Sequence, residues 1–367
     1  MVVIKLFCNA LRNSISIAPT GEIRPCYLHE LDPDHTVDKI SIKDYREKVA
    51  LPMYEEMKKT GELPKGCWKC KSIKHYETFN KRLKGYEPNE NEELLMLDVS
   101  LSNLCNNGCI MCNKRNSSYY KKIEKNMFVF PDQTGAQELK INHSKKVFKD
   151  LCSNVKSLKE LYIKGGEPTL DSKVQDMLDY LISIDKTDVV IRLNTNLTNT
   201  NKRFMDSISR FPNKWISFSI DAKGDLNNAL RHPSNFDSVI KNLQRWTEIK
   251  TAQDQYYVSS VISMYNLFKY PELKKYLKEN FDQHIHGYYI NILQTPIFMD
   301  IAQLDKKTFS QALRLYDISD SKTLTDYYHN KKSENINVER FTKRSTEWFT
   351  SRGYSISLTG NSFFWRI

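Results

Sequence analysis

Residues 94–114 read LLMLDVSLSNLCNNGCIMCNK. A largely apolar run ends in a short polar turn, and three cysteines, Cys105, Cys109 and Cys112, follow within eight positions. A run of this length bounded by turn residues predicts a buried strand. A structural zinc site closes its tetrahedron with four N or S ligands, so three thiols directly after a strand leave one position open.

The chain around this strand repeats its pattern. Strands are predicted at 94–102, 158–165, 188–194, 215–221, 256–264 and 287–293, with helical periods at 143–155, 172–184, 203–211, 236–249 and 270–281. Six strands separated by five helices predict an α/β fold of right-handed βαβ units around a parallel sheet. In such folds the chemistry gathers at the C-terminal ends of the strands. Each unusual short motif falls at such an end: the cysteine triplet after the first strand, KGGEPT (164–169) after the second, NTN (194–196) at the third and SID (219–221) at the fourth.

Three thiolates can hold three irons of a [4Fe–4S] cluster and leave the fourth without a protein ligand. An open iron accepts a chelating molecule such as the amino and carboxylate groups of an amino acid. The glycine pair Gly165 and Gly166 lets backbone approach a ligand closely, and Glu167 beside it suits an ammonium or amino group. Asn196, Ser219 and Asp221 are short polar groups fitted to ribose hydroxyls or a carboxylate, and Arg231 and Asn266 stand at loop positions after strands. Each of these five also fits the plainer role of capping a turn. Cys152 shares a helical face with Phe148, Leu151 and Val155 and reads as a core thiol. A zinc knuckle completed by a distant histidine is the competing account of the triplet.

The combination of C-x3-C-x2-C, GGEP and polar strand ends resembles the radical S-adenosylmethionine (SAM) superfamily, over about residues 93–293. The resemblance implies a partial (β/α)6 barrel of TIM type. It implies a cluster on Cys105, Cys109 and Cys112 that binds SAM and, given one electron from an external reductant, cleaves it to methionine and a 5′-deoxyadenosyl radical. That radical abstracts a hydrogen atom from a substrate. The family usually places an aromatic residue before the third cysteine; here Met111 stands there, a polarisable thioether that can pack on an adenine.

The first 91 residues hold four more cysteines, Cys8, Cys26, Cys67 and Cys70. SISIA followed by PTGE predicts a β-hairpin that brings Cys8 and Cys26 together. The arrangement resembles the auxiliary-cluster modules called SPASM or twitch, in the shorter twitch form placed before the barrel, and implies a second [4Fe–4S] cluster. A four-cysteine zinc site and a redox C-x-x-C pair are the alternatives. The expected organisation is a twitch-like module over 1–91 ending in the polar linker GYEPNENEE, a barrel over 92–299 and a C-terminal extension over 300–367.

Composition narrows the setting. No apolar run approaches the ~18 residues of a membrane span, and the opening MVVIKLFCNALRNS has no apolar signal core, so a cytoplasmic protein is expected. Eight cysteines in a reducing compartment point to metal or chemistry more than to disulfides. A net charge of +11 with no single basic block fits either an anionic partner or charge spread over solvated faces. The resemblance favours a peptide or protein substrate. A nucleotide, sugar or RNA is the alternative, favoured by the interleaved Lys, Arg and Tyr of CNKRNSSYYKKIEKN (112–126). A non-catalytic iron–sulfur electron carrier is the third class. The long segment 113–142 is expected to lie over the barrel mouth as a lid.

Overall fold

The protein is described by a computed structural model covering residues 7–73, 76–77, 80–81, 94–123, 127–129, 145–294, 296–331, 338–354, 357–358 and 365–366. The expected linker at 85–93, and 124–126 and 130–142 of the expected lid, lie outside the described residues.

One sheet organises the chain. Its strands are β1 (Ser14–Ile17), β2 (Ile23–Arg24), β3 (Met96–Ser100), β4 (Glu160–Lys164), β5 (Val190–Thr195), β6 (Lys214–Ser219), β7 (Gln255–Ile262) and β8 (Gly287–Ile292). They lie in the order β2-β1-β3-β4-β5-β6-β7-β8, an open sheet that ends at β2 and β8. β1 pairs in parallel with β3, β3 with β4, β4 with β5 and β7 with β8, while β1 and β2 form the antiparallel hairpin read from SISIA and PTGE. The architecture is the expected one, an incomplete α/β barrel of TIM type, with every predicted barrel strand and crossover helix present. The hairpin also feeds the barrel sheet directly, which no local sequence signal announced.

By contact the chain forms two compact units. The first comprises Met1–Asn103, Leu139–Leu193 and Asn201–Trp215. Within it the register places Leu97 opposite Leu161 and Leu161 opposite Ile191, all three fully buried. The helix Ser172–Ser183 buries Val174, Met177, Leu178 and Leu181, the i, i+3, i+4, i+7 stripe of an amphipathic helix. Asp171 starts it by accepting from the Lys173 N–H at 2.9 Å. The alternate face of the strands is charged: Lys164 donates to Asp98 at 2.6 Å, and Arg192, paired with Glu160 at 2.9 Å, stacks on Trp215.

The second unit comprises Leu104–Glu138, Asn194–Thr200 and Ile216–Ile367. β7 alternates half-buried and buried residues along its length, as a strand with two unlike faces should. Phe218, Trp246 and Tyr256 meet edge to face at 5.3–6.3 Å and anchor its core. The tail folds into the helices Lys306–Leu313, Ile318–Asn330 and Val338–Thr350. The last of these is tied down by a buried bond between Ser345 and Tyr265 at 2.8 Å and by Arg352, whose Nη1 donates to the Phe128 carbonyl at 2.9 Å. Among the described residues no helix is long and apolar enough to cross a membrane.

Trp246 is fully buried at the centre of the aromatic group. We expect Trp246→Ala to cost about 3–5 kcal/mol through lost burial and the cavity left behind. Denaturant titration should show a lowered midpoint with an unchanged slope, and an unchanged midpoint would contradict this packing.

Candidate cofactor site

The cysteine triplet occupies an irregular loop after β3, and its shape is imposed by hydrogen bonds on every side. Gly108 N–H donates to the His232 carbonyl at 2.7 Å and Ile110 N–H to the Leu230 carbonyl at 2.8 Å. The two bonds bracket Cys109 on one segment and Arg231 on the other. Tyr120, fully buried, donates its hydroxyl to the Cys109 carbonyl at 2.5 Å. Ser117 Oγ donates to the Asn107 carbonyl at 2.6 Å, and Ser118 Oγ accepts from the Cys105 N–H at 3.1 Å. Inside the loop, Cys112 N–H reaches the Cys109 carbonyl at 2.8 Å, and Asn107 N–H points at the Cys105 sulfur at 3.4 Å. Met111 is half-buried in the turn between the last two cysteines.

Several of the polar residues expected at the strand ends lie in the same unit. Asn196 places Nδ2 3.9 Å from the Cys105 sulfur and 3.2 Å from Asn106 Oδ1, while Thr198 N–H donates to its Oδ1 at 2.9 Å. Thr198 also donates to Asn106 Oδ1 at 2.9 Å, so Asn106, Asn196 and Thr198 form one polar group beside Cys105. Asn106 and Thr198 were not legible as site residues, because short polar side chains near turns read first as caps. Asp221 is fully buried; its Oδ2 pairs with Arg231 Nε at 2.8 Å and its Oδ1 accepts from the Val261 N–H at 2.8 Å. Asn266 donates to the carbonyls of Asp221 and Val261 at 2.8 and 2.9 Å and accepts from the Ser263 N–H at 2.8 Å. Both ends of its amide thus engage backbone, which makes it a strut between two strand ends. Ser219 is the last, half-buried residue of β6.

In the first unit, GGEP follows β4. Gly165 has φ +139°, and a Cβ there would stand 2.6 Å from the Ser102 carbonyl oxygen, so only glycine fits. Gly166 N–H donates to that same oxygen at 3.3 Å. Glu167 is buried and its Oε1 accepts from the N–H and hydroxyl of Thr169 at 3.2 and 2.7 Å, capping the short turn Pro168–Leu170.

Residues 99–265 match the Radical SAM superfamily. The chain carries a radical SAM domain. Its structure is similar to native anSMEcpe with bound AdoMet, at 16% identity and a TM-score of 0.44, covering 66% of this chain and 63% of that one. It is also similar to Streptococcus suis SuiB bound to S-adenosylmethionine, at 15% identity and a TM-score of 0.41, covering 82% and 59%. A third is Streptococcus suis SuiB bound to precursor peptide SuiA, at 14% identity and a TM-score of 0.41, covering 83% and 60%. The chain thus spans less than two thirds of each of these proteins. No curated protein matches it.

The donor set of the radical SAM domain fits an iron–sulfur cluster. Cys105, Cys109 and Cys112 are free thiols; Cys112 and Cys105 raise the proton affinity of Cys109, and Cys105 that of Cys112. Among the described residues no three His, Cys, Asp or Glu side chains are arranged to hold a single metal ion, whereas the corners of a cluster are separate irons. Burial pushes Cys109 far up and Cys112 up to about 12, and Arg231 opposes the rise at both.

The N-terminal cysteines also converge. Cys8, Cys26 and Cys70 are buried and Cys67 half-buried, all four as free thiols. Burial, then Cys26, pushes Cys8 up to about 12, and burial, then Cys26 and Cys70, does the same at Cys67. Cys26 is raised by burial and by Cys70, so the four thiols form one interacting group. Cys152 stands apart as a buried thiol of the helix Lys145–Ser153.

The aromatic residues that favoured nucleic acid have other work. Tyr120 is inside the fold, and Tyr119 packs edge-on to His232 at 6.3 Å and against Gly108.

The protonated state of these thiols gives a test on the cluster-free protein. Raised values keep the sulfurs neutral at pH 8, so alkylation of Cys8, Cys67 and Cys112 should run ~10-fold or more slower than at an exposed cysteine and accelerate as pH rises toward 12. Site-resolved mass spectrometry measures this; fast, pH-independent labelling at Cys112 would contradict the buried loop.

Proposed function

We propose that the chain is a radical SAM enzyme whose SAM-binding cluster is held by Cys105, Cys109 and Cys112. The observation that carries this is the match of 99–265 joined to the loop that presents those three thiols together. With the cluster and SAM in place, one electron from an external reductant breaks the sulfonium C–S bond and yields a 5′-deoxyadenosyl radical that takes a hydrogen atom from substrate. The chain's own residues supply placement and shielding. Tyr120, Ser117 and Ser118 keep the loop in shape; Asn196 and Thr198 stand beside Cys105 for a polar ligand; Arg231 and Asp221 add charge near Cys109.

We assign a second [4Fe–4S] cluster to Cys8, Cys26, Cys67 and Cys70, supported by their convergence as one group of free thiols. On this reading residues 1–91 are the auxiliary module, 92–299 the radical SAM barrel and 300–367 an extension. A module of this kind beside a radical SAM domain favours a peptide or protein substrate, and the burial of Tyr120 takes one aromatic ring away from an RNA-binding role. Clusters and free thiols suit the reducing cytoplasm.

One experiment tests both assignments. Anaerobically reconstituted protein should carry about eight irons per chain, and the Cys105→Ala/Cys109→Ala/Cys112→Ala variant about four. Reduced wild type should release 5′-deoxyadenosine from SAM slowly without substrate, and the triple variant none. Equal release from both would refute the cluster assignment, and about four irons in the wild type would refute the second cluster.

A further inference from the structure

Arg231 is a buried cation held against the cysteine loop by backbone and side chain alike. The bonds from Gly108 and Ile110 to His232 and Leu230 bracket it opposite Cys109. The two side chains feel one another, since the Arg231 cation opposes the rise that burial imposes on the Cys109 thiol. Its guanidinium cannot swing away, because Asp221 holds Nε at 2.8 Å and Asp221 is in turn fixed by the Val261 N–H at 2.8 Å. Asp221 compensates the buried cation, and an arginine keeps its charge at any physiological pH. A lone buried charge is expensive, so the pair persists only where its members are mutually compensated. Here the cation faces sulfur ligands on one side and a carboxylate on the other.

We infer that the Asp221–Arg231 pair sets the reduction potential of the cluster on Cys105, Cys109 and Cys112. The inference rests on the cluster assignment above. When an external reductant delivers one electron, the cluster gains one negative charge and no bond forms or breaks. A fixed cation beside Cys109 stabilises the more negative, reduced state and raises the potential; the Asp221 carboxylate offsets part of that effect. Arg231 therefore favours reduction, and Asp221 acts as the positioning residue that fixes the cation while limiting its influence.

The two partners must then act with opposite signs. In anaerobic redox titrations followed by electron paramagnetic resonance, the relevant signal is the one that Cys109→Ala removes. For that signal, Arg231→Gln should lower the ratio of reduced to oxidised cluster at a fixed potential by about tenfold, equivalent to about 59 mV for one electron. Asp221→Asn, which removes the charge and keeps one side-chain oxygen as an acceptor, should raise the ratio. Arg231→Lys should stay near wild type. Shifts of the same sign in Arg231→Gln and Asp221→Asn, or no shift in either, would overturn the inference and leave the pair a strut. If Arg231→Gln assembles no cluster, Asp221→Asn against Arg231→Lys decides: a potential that is not raised in Asp221→Asn overturns it. Should Cys109→Ala remove no signal, the cluster assignment itself fails, which is a separate result.

Discussion

The carbonyl oxygens of Leu230 and His232 decide where Cys109 can stand. A loop of eight residues with three sulfur ligands has no regular structure to fix it, and its backbone donors would be unsatisfied if it closed on itself. By giving two of those donors to a segment that follows β6, the fold converts a flexible turn into a positioned one. Tyr120 then locks the Cys109 carbonyl from the other side, and Ser117 and Ser118 hold Asn107 and Cys105. Each of these bonds is worth only about 1 kcal/mol net. Their joint effect is geometric, because none can be kept while the sulfurs move apart.

The same segment that shapes the loop also brings charge to it. Arg231 sits between the two accepting carbonyls, paired with Asp221, so a single stretch of chain after β6 controls both the position and the electrostatics of the thiols. Burial penalises the thiolates of Cys109 and Cys112 and favours their protonated form, so binding a metal cluster there would release protons. Among the N-terminal cysteines, burial likewise raises the proton affinity of Cys8, Cys26 and Cys67.

Much of this was readable in the amino acids. The barrel strands announced themselves because short apolar-rich runs bounded by turn residues read as strands, and LLMLDVS, LKELYIK and DVVIRLN are such runs. GGEP was legible because Gly165 has a conformation and a contact that no other residue tolerates. What escaped was non-local. The parallel pairing of Ser14–Ile17 with β3 joins segments some eighty residues apart and leaves no periodic trace. The helix Asp225–Leu230, DLNNAL, is too short and polar to stand out, yet its end supplies a carbonyl that shapes the loop. Tyr119 and Tyr120 looked like stacking groups because a tyrosine among lysines does not reveal which way it turns; Tyr120 turned inward. The backbone bonds that hold both ends of the Asn266 amide were also not legible.

The account stands on SAM meeting the cluster of Cys105, Cys109 and Cys112, and the electron paramagnetic resonance spectrum of the reduced protein reports that contact directly. Adding SAM should change the g values of the signal that depends on Cys109 and leave the remaining signal, from the N-terminal cysteines, as it was. A signal dependent on Cys109 that is present and unmoved by saturating SAM would contradict the central claim.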